Sequence, residues 1–95
     1  MIIEYNRLER NGSDGVLIQL DAAANIFRHN ESDENGRDGI AVNATFGGGT
    51  GNTFERNRVR GNAEFDARDD MRPANTWIRN HCETDSPPGT ICEKP

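Results

Sequence analysis

One short pattern of polar and apolar positions recurs four times along this chain. Each copy has an asparagine first, a large apolar residue third and a second asparagine sixth. The four hexads are Asn6–Asn11, Asn25–Asn30, Asn52–Asn57 and Asn75–Asn80. Self-similarity at a spacing of roughly 20–30 residues indicates a solenoid, in which each repeat packs only against its neighbours.

The stretches between the hexads favour strands over helices. They vary in length and are rich in asparagine, glycine and aspartate, which are poor helix formers. A second short strand is predicted after each hexad, at Asp14–Ile18, Asp38–Val42, Ala63–Ala67 and Thr90–Cys92. The glycine-rich segment 46–51 is interpreted as a loop. We therefore predict one all-β domain over residues 1–95, with about four rungs near 1–24, 25–51, 52–74 and 75–92.

The fixed positions of the hexad predict the interior of this solenoid. Side chains alternate between the two faces of a strand, so the third position of each hexad is expected to point inward. These residues would stack in one apolar file: Leu8, Phe27, Phe54 and Trp77. Asparagine tolerates the left-handed backbone of a tight corner, and its amide can bond from rung to rung. The closing asparagines are expected to form such a ladder: Asn11, Asn30, Asn57 and Asn80. Whether a second ladder forms from the opening asparagines is left open by the sequence: Asn6, Asn25, Asn52 and Asn75.

Both cysteines, Cys82 and Cys92, lie near the C-terminal end. This placement predicts a disulfide that ties down a C-terminal cap over residues 80–95. It also predicts an oxidising compartment, either extracellular or periplasmic. Closing a loop of about ten residues would add roughly 3 kcal/mol. His81 and the two cysteines match no zinc pattern, so no metal site is predicted there.

Composition changes this picture little. Hydrophobic residues make up 33% of the chain, the mean hydropathy is -0.87 and the net charge is -5. Taken alone, these values are typical of a disordered chain. A solenoid with this composition can still fold, because it needs only a narrow apolar core. We expect neither a membrane nor a nucleic acid as partner, because no apolar segment is long enough to span a membrane and the chain is acidic overall. The first residues, Met1–Tyr5, lack the pattern of a signal peptide.

The chain resembles right-handed parallel β-helix repeat proteins of the pectin-lyase-like superfamily. The resemblance rests on the four hexads, on the Asp-Gly-Val and Asp-Gly-Ile strand starts, and on the run from Asn75 to Cys92. It implies a right-handed parallel β-helix that ends in C-terminal rungs and a cap. It implies little about function, because lyases, hydrolases, epimerases and non-catalytic proteins share these repeats.

The acidic run from Asp66 to Asp70 is the candidate for catalysis. Hydrolases of the resembled group use paired aspartates, one as an acid and one to activate water. The residues with these roles would be Asp66, Asp69 and Asp70, beside Arg56, Arg68 or Arg79. The same carboxylates would suit Ca²⁺, and no other cofactor is expected. Those hydrolases also carry Gly-His-Gly and Arg-Ile-Lys segments, which this sequence lacks. A polysaccharide lyase or hydrolase is therefore the alternative hypothesis.

The fifth hexad position is basic in every copy: Arg10, His29, Arg56 and Arg79. Stacked at rung spacing, these side chains would grip the carboxylates of an acidic polysaccharide. Ion pairing with Glu9 and Glu55 is the competing interpretation. The leading hypothesis is a non-catalytic β-helix module that is structural or presents a surface for carbohydrate or protein.

The chain opens partway into a coil, with no polar cap before the first hexad. Unpaired strand edges around Ile3, Leu8 and Val16 would be prone to association. We therefore expect a homo-oligomer joined through this open N-terminal end.

Overall fold

Thirteen short strands form the regular structure of the part of the chain that the structure describes. This computed structural model describes residues 2–18, 24–42, 50–71, 74–86, 88–89 and 91–93. None of these segments forms a helix of the length and apolarity needed to cross a membrane. The glycine-rich segment 46–51 lies mostly outside the described residues.

The strands follow one another around a coil. The first rung contains β1 (Ile2–Glu4), β2 (Arg7–Glu9) and β3 (Val16–Ile18). The second contains β4 (Ile26–Arg28), β5 (Glu31–Asp33) and β6 (Ile40–Val42). The third contains β7 (Thr53–Glu55), β8 (Arg58–Arg60) and β9 (Ala67–Asp69). The fourth contains β10 (Thr76–Ile78), β11 (Asn80–His81) and β12 (Asp85–Ser86), and β13 (Cys92–Glu93) follows it.

Equivalent strands of successive rungs pair in parallel, which gives three sheets along the coil. The first sheet has the order β1-β4-β7-β10, the second β13-β11-β8-β5-β2 and the third β12-β9-β6-β3. This arrangement confirms the predicted all-β solenoid of about four rungs. The rungs contain three strands where the sequence predicted two. The reason is that a second hexad-length segment follows each of the middle hexads directly, at Asn30–Asn35 and Asn57–Asn62.

The prediction that Leu8 belongs to the same apolar file as Phe27 is wrong. The first hexad pairs with the second hexad-length segment of the next rung, so Leu8 lies opposite Ser32 in the second sheet. Ile3 takes the expected place, opposite Phe27 in the first sheet. Register decides this, because a hexad specifies a strand and a corner but not the strand it pairs with.

The rest of the apolar file runs along the interior of the first sheet. The ring centroids of Phe27 and Phe54 lie 5.2 Å apart, and those of Phe54 and Trp77 lie 4.1 Å apart. The rings are nearly parallel, and Phe54 is 0% exposed. Each such pair contributes about 0.5–1.5 kcal/mol beyond the area it buries. Other buried residues complete this core: Ile40, Val42, Val59, Ala67, Cys82 and Ile91.

Three asparagine ladders line the corners, one more than the sequence suggested. The first contains Asn25, Asn52 and Asn75. The second contains Asn6, Asn30, Asn57 and Asn80. The third contains Asn11, Asn35 and Asn62. At each step the side-chain oxygen accepts bonds of 2.9–3.2 Å from the backbone N–H and the side-chain amide of the asparagine one rung earlier. Asn6 and Asn11 therefore each lie one ladder away from the predicted position.

Nine of the ten ladder asparagines in the described residues follow a residue with left-handed backbone geometry, and Asn75 is the exception. The left-handed residues are Tyr5, Arg10, Ala24, His29, Glu34, Gly51, Arg56, Gly61 and Arg79. The prediction that the asparagine itself adopts this conformation is wrong. The corner turns one residue earlier, which leaves the asparagine side chain free to enter the ladder.

The C-terminal cap contains the predicted disulfide between Cys82 and Cys92. The Asp85 carboxylate also holds this loop, accepting bonds of 2.8–2.9 Å from the backbone N–H groups of Gly89, Ile91 and Cys92. The prediction that the segment around Cys92 is the fourth copy of the second strand, in the third sheet, is wrong. Cys92 begins β13, which belongs to the second sheet. The fourth place in the third sheet belongs to β12.

The third copy of the predicted second strand is also displaced. The prediction places it at Ala63–Ala67, whereas β9 begins only at Ala67. The four residues before it form the corner between the second and third sheets. The backbone N–H of Ala63 donates to Asn35 there and that of Glu64 donates to Arg37.

Candidate functional site

The corner between the first and second sheets carries three of the predicted basic residues. His29, Arg56 and Arg79 occupy the same corner in successive rungs, with φ of 53°, 52° and 51°. Each precedes an asparagine of the second ladder, so their exposed side chains leave the coil at the same place. Tyr5 takes this place in the first rung, and Arg10 lies at the next corner instead. The four basic residues therefore do not form one file.

Tyr5 and His29 form an aromatic pair at the N-terminal end of this corner. Their ring centroids lie 5.2 Å apart and the ring planes differ by 8°. Tyr5 is 74% exposed, which leaves part of the ring open to solvent. Tyr5 is not among the residues predicted to bind a ligand, although its position directly before Asn6 matches that of His29 before Asn30.

Most arginines in the described residues are neutralised by a carboxylate. Arg10 lies 3.2 Å from Glu34, and Arg37 lies 2.9 Å from Glu64. The same holds, at 4.0 Å or less, for Arg7, Arg28, Arg60 and Arg68. The hydrogen bond from Arg28 to Glu4 also raises the pKa of that guanidinium. The ion-pair interpretation thus holds for Arg10, although its partner is Glu34 and not Glu9.

Three arginines have no such partner among the described residues: Arg56, Arg58 and Arg79. They lie together on rungs three and four, because Arg58 of β8 follows the corner residue Arg56 by two positions. His81 of β11 lies directly opposite Arg58 in the second sheet. We call Arg56, Arg58, Arg79 and His81 the basic patch. Adjacent like charges repel, so the surface is suited to an anion.

A groove runs along the second sheet beside the basic patch. It has a volume of about 360 Å³ and is lined by Arg58, Arg60, His81, Cys82 and Glu83. Successive side chains of a strand point to opposite faces, which explains this lining. In β8, Val59 is 0% exposed and faces the core, so Arg58 and Arg60 on either side of it face the groove. The hexad pattern does not point to Arg58 and His81 as binding residues, because the hexad ends at the asparagine before each of them.

The candidate catalytic aspartates do not come together on an outer face. Asp66 is 3% exposed and Asp69 is 1% exposed. The Asp69 carboxylate accepts bonds of 2.8 Å from the indole N–H of Trp77 and the backbone N–H of Met71. Only Asp70 reaches the outside, 3.8 Å from Arg68. Alternation in β9 causes this, since it turns Asp69 inward and Arg68 outward.

Asp66 continues the third asparagine ladder with a carboxylate. One oxygen accepts from the backbone and side-chain amides of Asn62, at 3.2 and 3.0 Å. The other accepts from the backbone N–H groups of Glu83 and Thr84. These bonds join the third rung to the cap, which accounts for the burial of this carboxylate without a catalytic role.

A buried ion pair on the third sheet was not foreseen from the sequence. Asp38 is 1% exposed, and one of its carboxylate oxygens lies 3.1 Å from Nε of Arg68. Burial raises the pKa of Asp38, and the nearby guanidinium opposes this shift. Within the described ranges, no three His, Cys, Asp or Glu side chains gather as metal ligands. The Asp38 carboxylate also accepts a bond from the backbone N–H of Phe65 at 3.1 Å, so the pair is part of the packing between the second and third rungs.

A comparison with protein-family models gives a match over most of the chain. The family model described as "Right handed beta helix region" matches residues 1–82. The searches of curated proteins and of solved structures gave no match. The family model agrees with the three parallel sheets of the described residues.

Proposed function

Because the chain belongs to the right-handed β-helix family, we propose that it is a non-catalytic module that binds acidic polysaccharide through the basic patch. The observation that carries this proposal is the absence of carboxylate partners for Arg56, Arg58 and Arg79 among the described residues. An unpaired guanidinium keeps its planar fork of donors available for a carboxylate. The groove of the second sheet lies beside these donors.

The repeat of the coil supports a long polymer as the ligand. Successive rungs lie about 4.8 Å apart, so Arg56 and Arg79 present cations at that interval along the coil. This interval is similar to the length of one sugar residue in an extended chain. The exposed ring of Tyr5, stacked on His29, adds a flat apolar surface at the other end of the same corner. A polysaccharide lying parallel to the coil would contact both.

The double variant Arg56→Asn, Arg79→Asn is expected to weaken binding to polygalacturonate by about tenfold or more at low salt. Two charge-assisted contacts are lost, while asparagine tolerates the left-handed backbone at both positions. Isothermal titration calorimetry measures the effect, and wild-type affinity should fall as salt is added.

The double variant Arg10→Asn, Arg37→Asn is the matched control, because it also removes two charges, from exposed arginines that are paired with Glu34 and Glu64 away from the basic patch. It should bind as the wild type does. Equal loss in both variants would show that net charge, and not the basic patch, attracts the polymer. No binding of polygalacturonate to the wild type at low salt would overturn the proposal.

We also propose that the 95-residue chain associates through the first rung. The strands β1, β2 and β3 each form one edge of their sheets, and the backbone groups of an edge strand favour pairing with another edge. Ile2 at this edge is 54% exposed. We expect light scattering to show oligomers at micromolar concentration and Ile2→Lys to reduce them. Ile78→Lys, on the fourth rung and 41% exposed, should leave them unchanged. A monomeric wild-type chain would contradict this proposal.

A further inference from the structure

We propose that Asn11 is a site of spontaneous deamidation and that Asn35, which is also followed by glycine, is protected. In an Asn-Gly pair, the glycine backbone nitrogen attacks the side-chain carbonyl carbon of the asparagine. A C–N bond forms, the side-chain nitrogen leaves as ammonia with the proton of the backbone N–H, and a succinimide results. Water then opens the ring at either carbonyl, which leaves aspartate or isoaspartate. Glycine favours attack because it has no side chain to hinder the approach.

The pair Asn11-Gly12 is open to this reaction. Both residues are exposed, and no atom lies within 4 Å of the place where a Cβ of Gly12 would stand. The Asn11 amide group donates one bond, of 3.0 Å, to the side-chain oxygen of Asn35. Among the described residues, no acceptor binds the backbone N–H of Gly12. Both the attacking nitrogen and the leaving group are therefore accessible.

The pair Asn35-Gly36 has the same sequence and the opposite environment. Asn35 is 2% exposed, and its amide nitrogen donates to Leu8, Ser32 and Asn62 at 2.9–3.3 Å. The attacking nitrogen is occupied as well, because the Gly36 N–H donates to the carbonyl of Asn11 at 2.8 Å. Reaction at Asn35 requires this part of the ladder to open first.

Deamidation at Asn11 would loosen the contact between the first two rungs. A carboxylate cannot donate to the side-chain oxygen of Asn35, so the third ladder loses its first side-chain bond. In isoaspartate the backbone runs through the former side-chain carbonyl and gains a carbon, and the α-carbonyl that accepts the Gly36 N–H becomes a free carboxylate outside the main chain. The chain thus carries a slow, irreversible change that acts on one end of the coil.

The test is to incubate the folded protein at mildly alkaline pH and to map peptides by mass spectrometry. Trypsin cleaves after Arg10, Arg28 and Arg37, which places Asn11 and Asn35 on separate peptides. In the folded chain, Asn11 should react at least about tenfold faster than Asn35, since local opening protects the latter. In urea the two rates should become similar.

Gly12→Ala is the control variant, and it should slow reaction at Asn11 without changing Asn35, since its Cβ meets open space. Equal rates at Asn11 and Asn35 in the folded chain would overturn the proposal. So would an unmodified Asn11 under conditions in which the urea-unfolded chain reacts. Hydrogen exchange at the Gly36 amide tests the structural consequence, with exchange about tenfold faster expected after deamidation.

Discussion

Replacing Asn57 by alanine is expected to lower the free energy of unfolding by about 3–5 kcal/mol. Asn57 is 0% exposed and lies in the middle of the second ladder. Its amide nitrogen donates to the carbonyl of Phe27 at 3.0 Å and to the side-chain oxygen of Asn80 at 2.9 Å. Its oxygen accepts from the backbone and side-chain amides of Asn30. The variant would remove these four buried bonds, at about 0.5–1.5 kcal/mol each, and would leave the backbone N–H of Asn30 without a partner among the described residues.

Asn11→Ala is the matched control for this variant. Asn11 is also a ladder asparagine, but it is exposed, and water can replace the bonds that it makes to Asn35. We expect a cost below about 1 kcal/mol. Urea unfolding followed by the fluorescence of Trp77 measures both variants. Similar costs at the two positions would show that the ladders do not stabilise the fold through buried hydrogen bonds.

Gly39→Ala is expected to destabilise the fold by at least about 3 kcal/mol, out of a total of about 5–15 kcal/mol for a typical domain. A Cβ at this position would overlap a methyl group of Val59 and would lie 2.6 Å from both Asn62 Nδ2 and the backbone oxygen of Asp66. The backbone oxygen cannot move without breaking the pairing of the third sheet. Only glycine fits at this position between the two rungs, and this explains the Asp-Gly dipeptide directly before β6.

Gly12→Ala separates this packing effect from the general effect of replacing a glycine. Its Cβ meets nothing within 4 Å, so the change should be neutral or stabilise the fold by up to about 1 kcal/mol. Any gain would arise because alanine lowers the conformational entropy of the unfolded chain. Circular dichroism during urea titration compares the two variants. If Gly39→Ala were as stable as the wild type, the close approach of the second and third rungs would not exist in solution.

The residues that stabilise the fold differ from the residues that are available for binding. The hexad asparagines and their third-position residues are mostly used by ladders and core, and so are two of the three candidate catalytic aspartates. The basic patch uses positions that the hexad leaves variable. Variants in this patch should therefore change binding with little effect on stability, which makes the proposed function separable from the fold.

The sequence by itself determined the kind of architecture. Repeated asparagines five positions apart, around one apolar residue, specify a short strand between two corners, and four copies specify a solenoid. Cysteine placement was also sufficient to predict the disulfide. These are local features, since each follows from residues that are close in sequence.

Only the tertiary structure decided which hexads stack and which charges remain unpaired. The segment Asn30–Asn35 has Ser32 at its third position instead of a large apolar residue, so the sequence pattern does not identify it as a repeat. The sequence therefore could not show that Leu8 pairs with Ser32. The same register sets Arg10 beside Glu34 and leaves Arg56 and Arg79 without a carboxylate among the described residues. Contacts between rungs join residues more than twenty positions apart, and an offset of one hexad changes every partner while preserving each local pattern.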